Sequence, residues 1–408
     1  MGQRLAVVGA GYAGMAAAVT LAQRGASVTV FESGPVPGGR ARRVTLQGRT
    51  LDNGQHVLVG AYGTLFSLMR TVGVPADAVL RVPLELRYAD GFRFRALFFP
   101  APLGLLAGLL LARGLPWHER VGAVRFMLTL RRRGFRLAAD CSVSALLERH
   151  GQNGRIGHYL WQPLCVSALN TLPERASANV FLAVLRDTLG GEAEASDLIL
   201  PRVDLSRLFP EPAADWLRAR GADVRCAATV RDLGALRAEF DGVVLAVGPH
   251  QLKTLLPGVA PEFEYQPITT CYLQYDARTR LPFPMLGLAH GLVQWVFDRG
   301  ALTGEQGRLA AVISAQGDHQ QMTREELAAT CHREIAAALP GLPAPQWARV
   351  IAEKRATVAV TTGFRRPAIE SGLPGVFLAG DYTDPEYPPT LEAAARSGVR
   401  AAEQALAG

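Results

Sequence analysis

An α/β fold centred on a buried parallel sheet is predicted by three stretches of the sequence. The apolar run Leu5-Ala6-Val7-Val8 leads into glycines at 9, 11 and 14, a helical pattern over residues 15–24, and a second strand-like run over 27–31 that closes on Glu32. Residues 210–247 return to the same alternation: a helix introduced by Pro210 and Pro212, then strand patterns over 223–230 and 242–247. Residues 376–381 form a last buried run that delivers Asp381, and a helix starts at Thr390 after two prolines. Strand, glycine triplet, helix, strand and acid in this order mark a Rossmann-type dinucleotide site. Gly9 permits the sharp turn, Gly11 leaves room for a pyrophosphate, and Gly14 lets helix and strand pack closely. The helix start then turns unpaired N–H groups and a positive dipole end toward phosphate. Glu32, eighteen residues past Gly14, stands where a carboxylate accepts bonds from ribose hydroxyls.

Composition narrows the class. A chain of 408 residues with 49% hydrophobic and 19% charged side chains is globular and long enough for two or three lobes. Its net charge of +7 suits an anionic surface, phospholipid or nucleic acid. The basic residues run along the chain, only Lys253 and Lys354 are lysines, and no aromatic cluster offers base stacking, so nucleic acid is not an expected partner. The five cysteines form no C-x-x-C pair and have no histidine at ligand spacing, so no metal is expected and reduced thiols are. With the first strand opening at residue 5, no signal peptide is expected, and the chain reads as cytoplasmic.

Between the strong signals the elements follow in order. Gly38-Gly39-Arg40 brings backbone and a guanidinium toward an anion, and Asp52-Asn53-Gly54-Gln55-His56 places an amide and an imidazole beyond a glycine turn. Residues 96–112 are uncharged and apolar, but Pro100 and Pro102 shorten the helical part to Leu103 onward, less than a membrane span needs. That helix is either core or a surface resting in one membrane leaflet, and nearby arginines, among them Arg131-Arg132-Arg133, suit phospholipid headgroups. Pro116 opens a helix, Ser142 caps another that stops at Gly151, and residues 160–171 lead into a helix over 176–189. Residues 160–171, with Gln162 and Asn170 among large apolar groups, are either ordinary helix packing or the lining of a pocket for a long apolar molecule. Strand patterns cover 266–275, 293–299 and 310–314, and Thr323 with Glu326 forms a capping box for a helix over 323–339.

The motifs Gly9-x-Gly11-x-x-Gly14, Glu32, Gly38-Gly39-Arg40 and Asp52-x-Gly54 resemble those of the flavin-containing amine oxidase and phytoene desaturase superfamily. Val36 and Pro37 stand where that superfamily carries a basic residue before the glycine pair. The resemblance implies a discontinuous FAD-binding domain over residues 1–64, 201–260 and 356–408. Into it a substrate domain is inserted, mostly helical and apolar over 65–200 and sheet plus helix over 261–355. It implies that FAD rests on Gly9, Gly11, Ala13, Gly14, Glu32, Gly38, Gly39, Arg40, Val230, Gly380, Asp381, Thr390 and Leu391, with the last helix start at the flavin N1 and O2 edge. No cysteine follows Asp381, so the flavin is expected to be non-covalent.

A finer resemblance is to the hydroxysqualene dehydroxylases of bacterial hopanoid pathways. It rests on the segment 52–56, Trp161-Gln162-Pro163-Leu164-Cys165, Ala168-Leu169-Asn170-Thr171, Leu200 to Leu205, Pro267-Ile268-Thr269-Thr270 and Gln294-Trp295-Val296-Phe297-Asp298. It implies reduction of hydroxysqualene to squalene: an acid protonates the allylic hydroxyl, water leaves, and hydride from flavin N5 quenches the cation. His56 is the expected acid, Gln55 a partner of the flavin edge, and Asp52 an orienter of the turn. The substrate would be a long isoprenoid lipid, with peripheral contact at the inner face of the membrane. One dinucleotide fingerprint argues against a second bound nicotinamide, leaving transient NADPH or a ferredoxin as reductants. The competing readings are an oxidative carotenoid-type desaturase on the same fold and a non-catalytic flavin-bearing scaffold that holds a prenyl lipid.

Overall fold

The computed structural model describes residues 2–97, 99, 102–189, 193–259 and 261–407. Five parallel strands make the first sheet, in the order Asp223–Arg225, Ser27–Phe31, Arg4–Val8, Gly242–Leu245 and Val376–Leu378. Val7 lies between Val30 and Val244, so the apolar runs occupy the middle of the sheet and are covered on both faces. One face carries the first helix, Tyr12–Gln23, and the last, Leu391–Ala407, which share a core with Val7 and Val30. The other carries Leu233–Glu239 and Pro249–Leu255 over Val8 and Leu245.

Absent side chains set how closely the two long helices approach. A Cβ on Gly398 would stand 2.1 Å from the Ala13 carbonyl oxygen, and one on Gly14 would stand 1.8 Å from that of Gly9. Ala13, an expected cofactor contact, is therefore also the point where the last helix touches the first.

The second sheet is antiparallel, in the order Met285–Gly287, Trp295–Asp298, Arg308–Ser314, Tyr265–Gln274 and Trp347–Val358. Alternation divides its side chains. Tyr272, Trp295, Phe297, Ala310 and Val312 join the core of the helical segments, while Cys271, Leu273, Val296 and Ile313 pack under the helix Arg324–Ala338. Thr323 and Glu326 close the expected capping box on that helix.

Several elements depart from the sequence reading, and three of them lie in the two main sheets. The strand expected over 223–230 ends at Arg225, because the N–H groups of Ala227 and Ala228 turn aside to the carbonyls of Gly34 and Glu32. The strand over 293–299 stops at Asp298, whose carboxylate caps a short helix Arg299–Thr303. Trp347–Val358 is an edge strand of mixed polarity, and no alternating strand pattern was there to find it by.

The helix Leu103–Leu111 has both a core face and an outer face. Leu105 and Leu109 are buried, whereas Leu103 and Leu111 are 60% and 64% exposed. Asn170 ends the helix Gln162–Leu169 in a left-handed conformation; its amide donates to Thr357 Oγ1 and Pro267 and accepts from Ala315 N–H, so here it is a satisfied packing amide.

Gly398→Val is expected to lower stability by about 3 kcal/mol by forcing the two helices apart. Gly63→Ala, at an exposed helix start with open space around it, should stay within about 0.5 kcal/mol. Denaturant melts of the two variants check this.

Candidate functional site

The carboxyl ends of the parallel strands gather the glycine residues into a cradle. Gly9 has φ +103, and a Cβ there would collide with the Ala246 carbonyl at 2.6 Å. Gly38 N–H donates to the Ala10 carbonyl at 2.8 Å, and a Cβ on Gly39 would stand 3.2 Å from Gly11 Cα. The two glycine loops thus lie one on the other. Gly11 caps the first helix with no side-chain bond, and the first turn holds no acid, so its leading N–H groups remain available to an anion. Glu32 accepts from Ala10 N–H at 2.8 Å and from Gly34 N–H at 2.7 Å, which fixes its carboxylate at the end of its strand. Val230 packs half-buried against the core that contains Val8 and Leu245.

Arg40 connects this cradle to the end of the chain. Its guanidinium meets the Asp381 carboxylate at 2.7 Å and the Ala356 carbonyl at 2.7 Å. Gly380 N–H is held by Ser397 Oγ at 2.7 Å, and the Thr390 hydroxyl accepts from Ala393 N–H to open the last helix at Leu391. A glycine cradle, an uncapped helix start and a buried carboxylate within reach of one arginine fit a dinucleotide with an anionic middle.

The turn over residues 52–57 is tied to the second sheet through a buried polar network. Asp52 Oδ2 stands 3.3 Å from Arg299, Oδ1 accepts from Leu205 N–H at 2.9 Å, and the Tyr272 hydroxyl donates to the Asp52 carbonyl at 2.8 Å. Gln55 donates to the Tyr272 hydroxyl at 2.7 Å and accepts from Arg299 at 3.1 Å, so its amide is committed on both sides. His56 follows directly, and its Nδ1 is buried without a hydrogen-bond partner. Burial pushes the His56 imidazole down to about 4, against a backbone hydrogen bond with Gly54 and with the nearby Arg40 charge acting the same way as burial, so it is neutral at pH 7. Burial also pushes Asp52 up to about 6, against the pull of Arg299.

Next to that turn opens a cavity. Its walls are apolar: Val57, Leu84, Phe94, Leu105, Trp161, Leu164, Ala168, Trp295 and Phe297. The polar groups are few, and Tyr387 and Thr390 sit together where the last helix begins. The Tyr387 hydroxyl is buried beside Asp187, and burial, followed by the Asp187 charge and a side-chain hydrogen bond to that carboxylate, holds it well above the ordinary tyrosine range. The Trp295 indole N–H is satisfied by Ser167 Oγ at 3.2 Å.

Of the expected residues, the structure brings Gly9, Gly11, Gly14, Gly38, Gly39, Arg40, Gly380 and Asp381 to one cradle, and sets Thr390 on the cavity wall. Sequence reasoning missed Tyr272, Arg299 and Tyr387. Arg299 directly follows the Gln294–Asp298 motif and Tyr387 precedes Pro388-Pro389, but nothing in the chain order shows that they meet the 52–57 turn or the cavity.

A glycine cradle abutting an apolar chamber fits a flavin-dependent oxidoreductase. The chain belongs to the flavin-containing amine oxidoreductase family, whose profile matches residues 12–406. It is 30% identical to the hydroxysqualene dehydroxylase of Rhodopseudomonas palustris and 30% to that of Sinorhizobium fredii, in each case over all of this chain and 99% of the relative. A probable zeta-carotene desaturase of Synechococcus elongatus is more distant, at 24% over 99% of this chain and 98% of that one. Among solved structures, putrescine oxidase bound to putrescine superposes with a TM-score of 0.72 at 18% identity over the full length of both chains.

Because Asp52 has a folded value near 6 against an ordinary 3.8, it holds its proton more tightly folded than unfolded, and its contribution to stability falls as pH rises between those values. Arg299→Met strands that carboxylate and should cost about 3–5 kcal/mol at pH 7.5. The deficit should shrink on acidification toward pH 5 as Asp52 takes up its proton; urea melts at the two pH values read both effects.

Proposed function

We propose that the chain is an FAD-dependent oxidoreductase that reduces hydroxysqualene to squalene. The observation that carries this reading is the apolar cavity reaching the start of the last helix beside the glycine cradle, in a chain similar over its full length to hydroxysqualene dehydroxylases. Gly11, Gly14 and Gly38 would lie against the diphosphate, Glu32 against the ribose, Asp381 against the ribityl chain, and Thr390 with Leu391 against the edge that gathers negative charge. Bound there, reduced FAD would supply the hydride.

The remaining work falls to the chain itself. The allylic C–O bond breaks as a proton reaches its oxygen, so the alcohol, one proton and one hydride give the hydrocarbon and water. His56, which precedes the cavity-lining Val57 in sequence and feels the Arg40 charge, is the proposed proton donor. Its low affinity for a proton makes the imidazolium a strong acid present in small amount at neutral pH. Tyr387, whose buried hydroxyl sits on the cavity wall beside Asp187, is proposed to donate a hydrogen bond to the substrate oxygen. Phe94, Trp161 and Trp295 present ring surfaces to the developing cation and, with the aliphatic wall, exclude water that would recapture it. Gln55, tied to Tyr272 and Arg299, is proposed to hold the turn in place next to the flavin edge.

His56→Ala should retain flavin and slow turnover of hydroxysqualene by at least about 100-fold, while the wild-type rate rises up to about tenfold per pH unit as pH falls from 7 toward 5. A near-normal rate in the variant removes His56 from the mechanism. Ala168→Trp fills the cavity without touching the cradle and should abolish turnover with flavin content unchanged. Conversion of a polyene precursor with new double bonds and no squalene would favour the desaturase reading instead.

A further inference from the structure

One helix separates the cavity from the outside, and its two sides differ in a way the core does not explain. Leu105 lines the cavity, whereas Leu103 and Leu111 are exposed and Leu106, Ala107 and Leu110 are half-buried. The helix Leu103–Leu111 contains no polar side chain, so its outer face is apolar throughout. Gly104 and Gly108 fix which side faces out: a Cβ on either would stand 2.1 Å from the Leu97 carbonyl or 2.3 Å from that of Arg95. Those two contacts seat the glycine side against the strand Arg93–Arg95 and its continuation, leaving the leucines outward. Phe99 and Trp117, 51% and 65% exposed, flank the helix in sequence on either side.

Charge is concentrated in the segment that follows this helix. Residues 113–136 hold seven arginines against the single acid Glu119, a net of +6, while the whole chain carries +7. The basic residues that read as spread along the sequence thus leave the other 384 positions almost neutral. Arg113, Arg125 and Arg131, Arg132 and Arg133 are exposed and form no ion pair among the described residues, while Glu119 is turned inward to Ile156 N–H. Leu128 lies exposed between Arg125 and Arg131 on the helix Trp117–Arg132, which packs against the leucine helix.

We propose that this helix pair is a docking surface for an anionic phospholipid bilayer, with the leucine face in the acyl region of one leaflet and the arginines on the headgroups. A second copy of the chain would bring +6 against +6, and a nucleic acid would leave the leucines unpaired with anything apolar, so charge and apolarity together select the lipid surface. No helix among the described residues is long and apolar enough to cross a membrane, which leaves a one-leaflet contact. The same helix wall would then pass an apolar substrate from bilayer to cavity; this part rests on the proposed function, and the docking itself does not.

Co-sedimentation of the full-length flavoprotein with vesicles tests it. Phosphatidylcholine vesicles containing phosphatidylglycerol should bind at least about tenfold more tightly than phosphatidylcholine alone, and binding should weaken with salt. Leu103→Glu/Leu111→Glu and, separately, Arg131→Ser/Arg132→Ser/Arg133→Ser should each lose at least about tenfold in vesicle affinity. Both should keep wild-type flavin content and turnover of detergent-dispersed substrate. Equal binding to both vesicle types, variants that bind like wild type, tighter capture by duplex DNA than by the vesicles, or self-association through this face without vesicle binding would each overturn the proposal. Vesicle binding without turnover of hydroxysqualene would uphold it and count against the proposed reaction alone.

Discussion

The contact on which the rest of the molecule depends is the near-touching of its first and last helices. At Gly398 and Ala13 there is no space for another carbon, and at Gly14 the first helix presses just as closely on the turn that begins it. Because those helices cannot separate, residues from opposite ends of the chain share one rigid layer, and two helix starts are held in fixed relation. One, at Gly11, faces the glycine loops; the other, at Thr390, faces the apolar cavity. A cofactor that carries a diphosphate in its middle and a charge-accumulating ring at one end matches that pairing, since each helix start offers positive potential where negative charge collects.

A second constraint acts across the sheets. Arg299 is almost fully buried and reaches Asp52, Gln55 and Glu305, so the 52–57 turn is positioned in part by a side chain that directly follows the strand Trp295–Asp298 of the antiparallel sheet. Burying that many charges is costly unless every one has a partner, and Tyr272 and Leu205 complete the set. The outcome is a stiff polar post between cradle and cavity, with His56 at its edge. A tyrosine kept protonated is compatible with a chamber that must not offer water or a base to an allylic cation.

How far the sequence could be read follows from how local each signal is. The glycine triplet, Glu32, the capping box at Thr323 and the start of the last helix were legible because each rests on short-range geometry: a turn, a cap, a strand end. The strand Trp347–Val358 was not, since its polarity alternates weakly at a sheet edge. Arg299, Tyr272 and Tyr387 were missed for a different reason: each acts on residues far from it in sequence, and spacing carries no record of such meetings. Gln55 shows the same limit. Its place in the motif pointed to the cofactor, yet the structure gives its amide two protein partners first. The helix Leu103–Leu111 was left between core and membrane because its composition is uniform; only the seating of Gly104 and Gly108 separates its two faces.

The central claim is that an apolar alcohol and a reduced flavin meet in one water-poor chamber. A single-turnover experiment addresses it most directly: the purified flavoprotein is reduced under anaerobic conditions, hydroxysqualene is added, and flavin absorbance and product mass are followed together. The account predicts one squalene formed for each flavin reoxidised. A flavin that stays reduced while substrate is bound, or reoxidation without squalene, would contradict it.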